Sequence, residues 1–445
     1  MYDVTTMLLI LVASIAMIIF LIMTVRMSAF LALIIACLFL GIATGMPLGK
    51  IASSIEAGMG GTLGFLATIL ALGTILGKML EVSGGAERLA RTLIDAFGKE
   101  RAHWAMMFVG FLCGIPVFFQ VGFVLLIPLV FSVALEARMS LAKIGIPVVA
   151  ALITVHCIVP PHPAAMAITA TLHADVGKVI LYGLLVGLPA AAIAGPIYGN
   201  FISKWVKLDP PAHLFKTERT PDEKLPPFGM TLFTVLLPLL IMVGKTVAEL
   251  YLPKDAAYMP YVSFFGNPIT ALLISTFFAY WTLGFARGLN REDLLKLTDG
   301  SFGPVAGIML IIGAGGAFNK VILDSGMGKV IGAVLVSLDM SPLIMAWVIA
   351  IAMRFSVGSA TVAMMTSAGI ILPVLAVYPN LDTALVCVAV GAGAIGASHV
   401  NDSGLWIVKE YFGMSLTDTF KTWTASTTIA AVIGLIGTLI LAQFV

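Results

Sequence analysis

Charge is what this chain has least of. Of its 445 residues only 11% are Asp, Glu, Lys or Arg, against 60% hydrophobic, and the mean hydropathy is +1.07. An average soluble domain carries about 25% charged residues. The surface needed to face water is missing, and the lipid bilayer is the expected solvent. An excess of either sign is missing too: 25 Lys and Arg against 23 Asp and Glu give a net charge of +2. The basic residues are scattered through short loops, which excludes a nucleic-acid-binding face. Cysteine is scarce. Cys37, Cys113, Cys157 and Cys387 each sit inside an apolar run, without a CxxC or Cys/His spacing. They read as small buried hydrophobes, and no metal or cofactor is expected. No basic stretch precedes the first apolar run, and Thr6 to Met23 is long enough to span, so a membrane helix is expected there rather than a cleaved signal peptide.

Long apolar runs are what the chain has in abundance. A spanning helix needs roughly 20 apolar residues. That ruler predicts five spans, 5–25, 28–47, 61–81, 144–172 and 178–204, then five more, 229–251, 268–286, 303–323, 383–409 and 417–444. Between spans three and four of each set lies a longer apolar stretch, 103–136 or 341–378, interrupted by GIPVFFQVG or RFSVGSAT. Cytoplasmic loops collect Lys and Arg. If 103–136 enters and leaves on one side, then Arg26, Arg88, Arg91, Lys99, Arg101, Arg138, Lys143, Lys204, Lys207 and Lys224 all fall inside, leaving Lys50, Lys178 and Lys254 outside. Both stretches therefore read as re-entrant hairpins.

The expected fold is an all-α polytopic membrane protein of about ten transmembrane helices plus two re-entrant hairpins, in two inverted-topology repeats. The first repeat is 1–205, with hairpin 103–136 and broken helix 144–172. A Pro-rich cytoplasmic linker, 206–228, follows, and the second repeat is 229–445, with hairpin 341–378 and broken helix 383–409. Laid on one another, the halves match Gly73 with Gly315, Lys78 with Lys320, Ser83 with Ser325, Trp104 with Trp347 and His156 with His399. An odd number of spans per half inverts the second copy, a pattern typical of secondary transporters.

Polar groups at membrane depth cost a few kcal/mol each and mark function. Here they are Gln120 at the first hairpin tip; His156 and His162 in TVHCIVPPHPAA; Arg354, Ser356, Gly358, Ser359 and Thr361 at the second tip; and His399, Asn401, Asp402 and Ser403 in ASHVNDSG. Pro160, Pro161 and Pro163 must open a helix and free its carbonyls. Gly358 and Asp402 sit at helix starts, whose free amides suit an anion. Arg354 offers a planar fork for a carboxylate. These residues point to a small organic anion bound near mid-membrane. The plainer alternatives are that Arg354 pairs structurally with Asp402 and that His156 only bonds a neighbouring helix. An intramembrane enzyme using Ser359 or Ser403 with a His would need a nucleophile–base pair at depth. The glycines of GMGGTLG and GAGGA fit close helix packing better than a phosphate loop, because no GK[ST] follows. AERLARTLIDAFGKERAH reads as an amphipathic interfacial helix.

GMGGTLGFLA, LGKMLEVSGGAERLA, VGFVLLIPLVFS, PPHP, GNPITA, LIIGAGGAF, GSATVA and SHVNDSGLW resemble the signatures of the gluconate permease family, the gluconate:proton symporters, from Gly58 to Trp406. The resemblance implies a multi-pass protein of the bacterial inner membrane importing gluconate or a related sugar acid by proton symport. It also implies a homodimer and an elevator-type movement. A D-serine permease of the same family and a sodium-coupled carboxylate carrier are the alternatives. RFSVGSATVA and SHVND resemble the gluconate type, whereas PPHPAA resembles the D-serine type. The family has an acidic residue where this chain has Gln120, which cannot titrate. Proton coupling is then expected at Asp402 or His156, unless the chain is held in a protonated-like state.

Overall fold

The computed structural model describes residues 3–208, 220–253, 255–327, 330, 340–375, 377–400 and 402–445. The described residues are almost entirely helical, and no strand occurs among them. The first half runs α1 (Val4–Met23), α2 (Ala29–Ala43), α3 (Leu48–Val82), α4 (Gly85–Phe97), α5 (Ala102–Gly114), α6 (Phe119–Ala137), α7 (Leu141–Ile158), α8 (Pro163–Thr171) and α9 (Val176–Ala192). The second runs α10 (Phe228–Tyr251), α11 (Pro268–Ala279), α12 (Arg291–Ser301), α13 (Gly303–Asp324), α14 (Pro342–Val357), α15 (Ala360–Leu375), α16 (Thr383–Ile395), α17 (Ser403–Phe412) and α18 (Ala425–Leu441).

Among the described residues nine helices are long and apolar enough to cross a membrane, and eight coincide with expected spans. Two expected spans differ. The 28–47 segment forms only the 15-residue α2, because Ser28 caps it and Thr44-Gly45 ends it, Gly45 at φ +75°. The 383–409 segment opens at Gly396 and restarts at Asp402. The ninth long helix is α6, an arm of the expected first hairpin. By contrast α5 and α14, of 13 and 16 residues, reach about 20 and 24 Å at 1.5 Å per residue. Both stop short of the roughly 30 Å hydrocarbon core.

Local chemistry sets the breaks. α5 ends at Gly114-Ile115-Pro116, because Pro116 has no amide to continue the ladder. α14 ends on Gly358, whose φ of +77° lies in the left-handed region that favours glycine. α7 stops before Pro160-Pro161, and Pro163 opens α8 at the first helical position, where a missing N–H costs nothing.

The two halves pack by the same rule. Gly110 of α5 lies against the Val148 carbonyl of α7, where a Cβ would come within 2.7 Å; Gly393 of α16 meets the Trp347 carbonyl of α14, within 2.4 Å. α3 runs antiparallel to α13, and α9 to α18. Gly58 and Thr62 of α3 meet Gly316 of α13, while Ser54 Oγ donates to Asp324 at 2.7 Å. Ser426, at the start of α18, donates to the Ala194 carbonyl beyond the end of α9, and Gly437 lies on Val186. Of the glycines in GMGGTLG only Gly58 makes such an approach, whereas Gly313, Gly315 and Gly316 of GAGGA all do.

Charged groups gather at the two ends of these helices. At one end, Arg88 donates to the carbonyls of Pro226 and Asp222, Arg91 pairs with Asp222 at 2.8 Å, and Arg287 donates to the carbonyls of Glu223 and Lys224. The expected interfacial helix is α4, and the end of the linker is strapped to it. At the other end of α9 and α10, Lys178 pairs with Asp382 at 3.1 Å, and Thr246 donates to Asp175 at 2.8 Å.

Gly58→Val would put side-chain atoms into the Gly316 backbone, 2.5 Å from where Gly58 would carry a Cβ. Overpacking of this kind costs about 1–3 kcal/mol. A clear fall in the melting temperature of the detergent-purified protein is expected, whereas Gly61→Val, with open space around it, should leave the temperature unchanged.

Candidate functional site

The four chain breaks meet at one place. Arg354, in the last turn of α14, is 2% exposed. One terminal nitrogen donates to the Gly358 carbonyl, closing the turn behind its own helix, and the other donates to Asp402 Oδ2 in an ion pair. Asp402 is the N-cap of α17: Oδ1 accepts the Gly404 N–H at 2.8 Å. Oδ2 also accepts the hydroxyl of Ser398. Ser398 in turn accepts the indole N–H of Trp423 at 2.6 Å, and its carbonyl accepts the Thr424 hydroxyl at 2.6 Å. Trp423 sits in a π turn, Phe420–Thr424, ahead of α18, the kind of helix irregularity found at functional sites. Its fully buried ring lies 5.3 Å from Phe119 at the first hairpin tip.

The first broken helix adds two imidazoles. His162, 1% exposed, sits 4.1 Å from His156 by ring centroids and edge-on to Phe118 at 5.5 Å. His156 lies within range of the Arg354 charge. Both ring nitrogens of His162, Nδ1 of His156 and Nε of Arg354 have no hydrogen-bond partner. A buried polar atom left unpaired costs about 1–3 kcal/mol. Four such atoms belong to this one neighbourhood. A small space of about 10 Å³, the room of about one water, lies beside this centre between α3, the first tip and Pro161–Pro163.

The other sequence-predicted residues lie around this centre with different roles. Gln120 and Ser403 are exposed, beside Phe119 and Gly404, which approach each other. Ser356 donates to the Ala352 carbonyl of its own helix. Ser359 caps α15 through the Val362 N–H, and Thr361 is buried in its first turn. His399 hydrogen-bonds the Phe355 carbonyl at 2.6 Å and packs tilted against the Phe355 ring. Asn401 lies outside the described residues. Sequence reasoning missed Ser398 and Trp423. Ser398 adjoins the HVND run, whereas no local signal marks Trp423. It also missed a larger cavity of about 580 Å³ between α4, α6 and the end of the linker. Arg88 and Arg91 on its wall are already paired with Asp222 and Glu87.

Broken and hairpin helices that converge on buried charge, within a polytopic bundle, define a multi-pass membrane carrier. The chain belongs to the GntP permease family, whose model matches residues 6–445. It is 50% identical to a gluconate permease of Pseudomonas aeruginosa over 94% of this chain and 93% of that one. It is 45% identical to the D-serine transporter DsdX of Escherichia coli, covering 97% of each chain, and 41% identical to the high-affinity gluconate transporter of the same species, over 97% and 98%. Among solved structures the fold resembles the YdaH transporter of Alcanivorax borkumensis, with a TM-score of 0.67 and 15% identity over 93% of this chain and 98% of that one. The family is one of transporters, not of enzymes, and its members in bacteria are proteins of the inner membrane.

Removing one member of a buried ion pair leaves an uncompensated charge, at a cost of about 3–5 kcal/mol. Arg354→Met should therefore lower thermal stability sharply, and adding Asp402→Leu should recover most of the loss. Additive losses in the double variant would mean that the pair is not energetically coupled.

Proposed function

We propose that the protein imports gluconate or a related sugar acid by proton symport. The observation that carries this reading is the buried guanidinium of Arg354, held where both hairpin tips and both helix breaks meet, beside imidazoles with unpaired nitrogens. A planar fork binds a carboxylate bidentately, and the unpaired nitrogens of His156 and His162 would take hydroxyls of a polyol chain. Gln120 and Ser403 would line the entrance, with Gly358, Ser359 and Thr361 forming the floor and His399 the rim. The 50% identity to a protein named gluconate permease supports a sugar acid. Gln120 cannot release a proton, and it lies on the exposed side of its helix. Coupling is assigned to the titratable groups of the cluster, Asp402 or His156.

We further read residues 1–205 and 229–445 as inverted repeats, an assignment supported by the antiparallel packing of α3 on α13 and α9 on α18. The hairpins and broken helices would move as one packed unit against the remaining helices, in a homodimer, as the family resemblance implies.

Counterflow in proteoliposomes tests the substrate: preloaded gluconate should drive uptake of labelled gluconate, and D-serine should compete poorly. Uptake driven by D-serine alone would replace the sugar-acid reading by an amino-acid one. Arg354→Lys keeps the charge and loses the fork, so apparent gluconate affinity should fall more than tenfold, in line with the ~1.5–3 kcal/mol of a charge-assisted hydrogen bond. For topology, single cysteines replacing Glu223 and Asp255, both exposed, should react with an impermeant thiol reagent from opposite faces of the membrane. The four native cysteines are buried and should stay silent. Labelling of both positions from one face would contradict the inverted repeat.

A further inference from the structure

Arg354 is not waiting for a ligand, because its carboxylate seat is already taken. Asp402 Oδ2 accepts from the guanidinium, as a substrate carboxylate would, and the side chains are 2% and 7% exposed. Resting on the reading that Arg354 binds the substrate carboxylate, we propose that Asp402 holds that seat in the empty carrier. It gives the seat up by taking a proton when a sugar-acid anion arrives. The exchange balances. The N–H···O bond from Arg354 to Asp402 breaks, an equivalent bond to the entering carboxylate forms, and one proton adds to Asp402 Oδ2. The Gly404 N–H stays on Oδ1 and keeps α17 capped.

Charge then enforces the coupling. Two states leave no uncompensated charge in the buried centre: the empty one, with Arg354 on Asp402, and the loaded one, with Arg354 on the anion and Asp402 neutral. Anion without proton leaves one negative charge unpaired, and proton without anion leaves Arg354 unpaired. Each costs several kcal/mol in a low-dielectric interior. Only the paired states are free to move, so one monoanion travels with one proton and no net charge crosses. A zwitterionic amino acid would behave differently, inserting its carboxylate toward Arg354 and its ammonium toward Asp402, with no proton required.

Ser398 and Trp423 act as positioning residues. The Ser398 hydroxyl donates to Oδ2 and is itself fixed by the indole N–H, which stabilises the charged carboxylate and resists early release. The titratable and charged groups around Asp402 among the described residues are Arg354 on α14, Cys157 at the end of α7, His156 and His162 from the first broken helix, and His399 in its own segment; Lys409 and Glu410 are paired with each other two turns along α17. Of these Asp402 alone occupies the seat of the entering anion.

The test is calorimetric titration of the purified full-length protein with gluconate, at several pH values and in buffers of different ionisation enthalpy. The wild type should take up about one proton per gluconate bound, and its affinity should tighten about tenfold per pH unit of acidification above a midpoint. Asp402→Asn should bind at least as tightly, with no proton uptake and no pH dependence. Ser398→Ala removes a donor to the carboxylate, so Asp402 protonates more readily and the midpoint should rise by about one pH unit. A merely structural role for Ser398 would leave the midpoint where it was. Gluconate binding without proton uptake in the wild type, or uptake persisting in Asp402→Asn, would overturn the exchange while leaving the sugar-acid reading intact. If Asp402→Asn does not fold, proton uptake by the wild type and the Ser398→Ala midpoint decide the matter. Absence of any sugar-acid binding by the wild type would instead remove the substrate assignment.

Discussion

A guanidinium sealed from water must have a counter-charge, and the centre of this molecule is organised by that requirement. Arg354 brings charge to the end of a helix about 24 Å long, inside a bilayer core of about 30 Å. Asp402 answers it from a chain break on another element, Ser398 and Trp423 hold Asp402, and Phe119 closes the first hairpin tip over the indole. Removing one member leaves the next buried and unpaired. The second hairpin tip, the second helix break and the turn before α18 are therefore kept in register by a short chain of charge and hydrogen bonds, and the first tip and first break join them through ring contacts.

The frame around this centre is built on close approach. Gly58, Gly110, Gly316, Gly391 and Gly393 each lie against a backbone carbonyl of a neighbouring helix, at distances a Cβ would not tolerate. Small residues let the helices touch along their backbones, and hydroxyls such as Thr154, Thr169, Ser275 and Thr438 return their hydrogen bonds to their own helices. The unpaired nitrogens of His156, His162 and Arg354 depart from that rule, as do His103, Asn319, Thr366 and Ser367 elsewhere in the bundle.

Much of this was legible in the sequence, for physical reasons. Hydropathy exposes spans because lipid punishes any other arrangement, and Pro160-Pro161-His162-Pro163 and Gly358 mark breaks because helix geometry cannot continue through them. The scarcity of charge made Arg354 and Asp402 visible at once. Direction was not legible: nothing in RFSVGSAT says that Ser356 bonds back to its own helix while Arg354 turns inward, since both are one helical turn or less from the tip. Trp423 was invisible because an aromatic in an apolar run carries no mark of a hydrogen-bond partner 25 residues earlier. The length of α2 was overestimated because apolar content continues past Ala43, where the turn at Gly45 stops the helix.

In the proposed exchange one guanidinium serves two carboxylates in turn. A structure of the protein with gluconate bound tests it most directly. The expected result places the gluconate carboxylate on Arg354, its hydroxyls on His156 and His162, and Asp402 withdrawn from the guanidinium while still capping α17. Gluconate seated elsewhere, in the cavity between α4 and α6 for instance, with the Arg354–Asp402 pair unbroken, would contradict it.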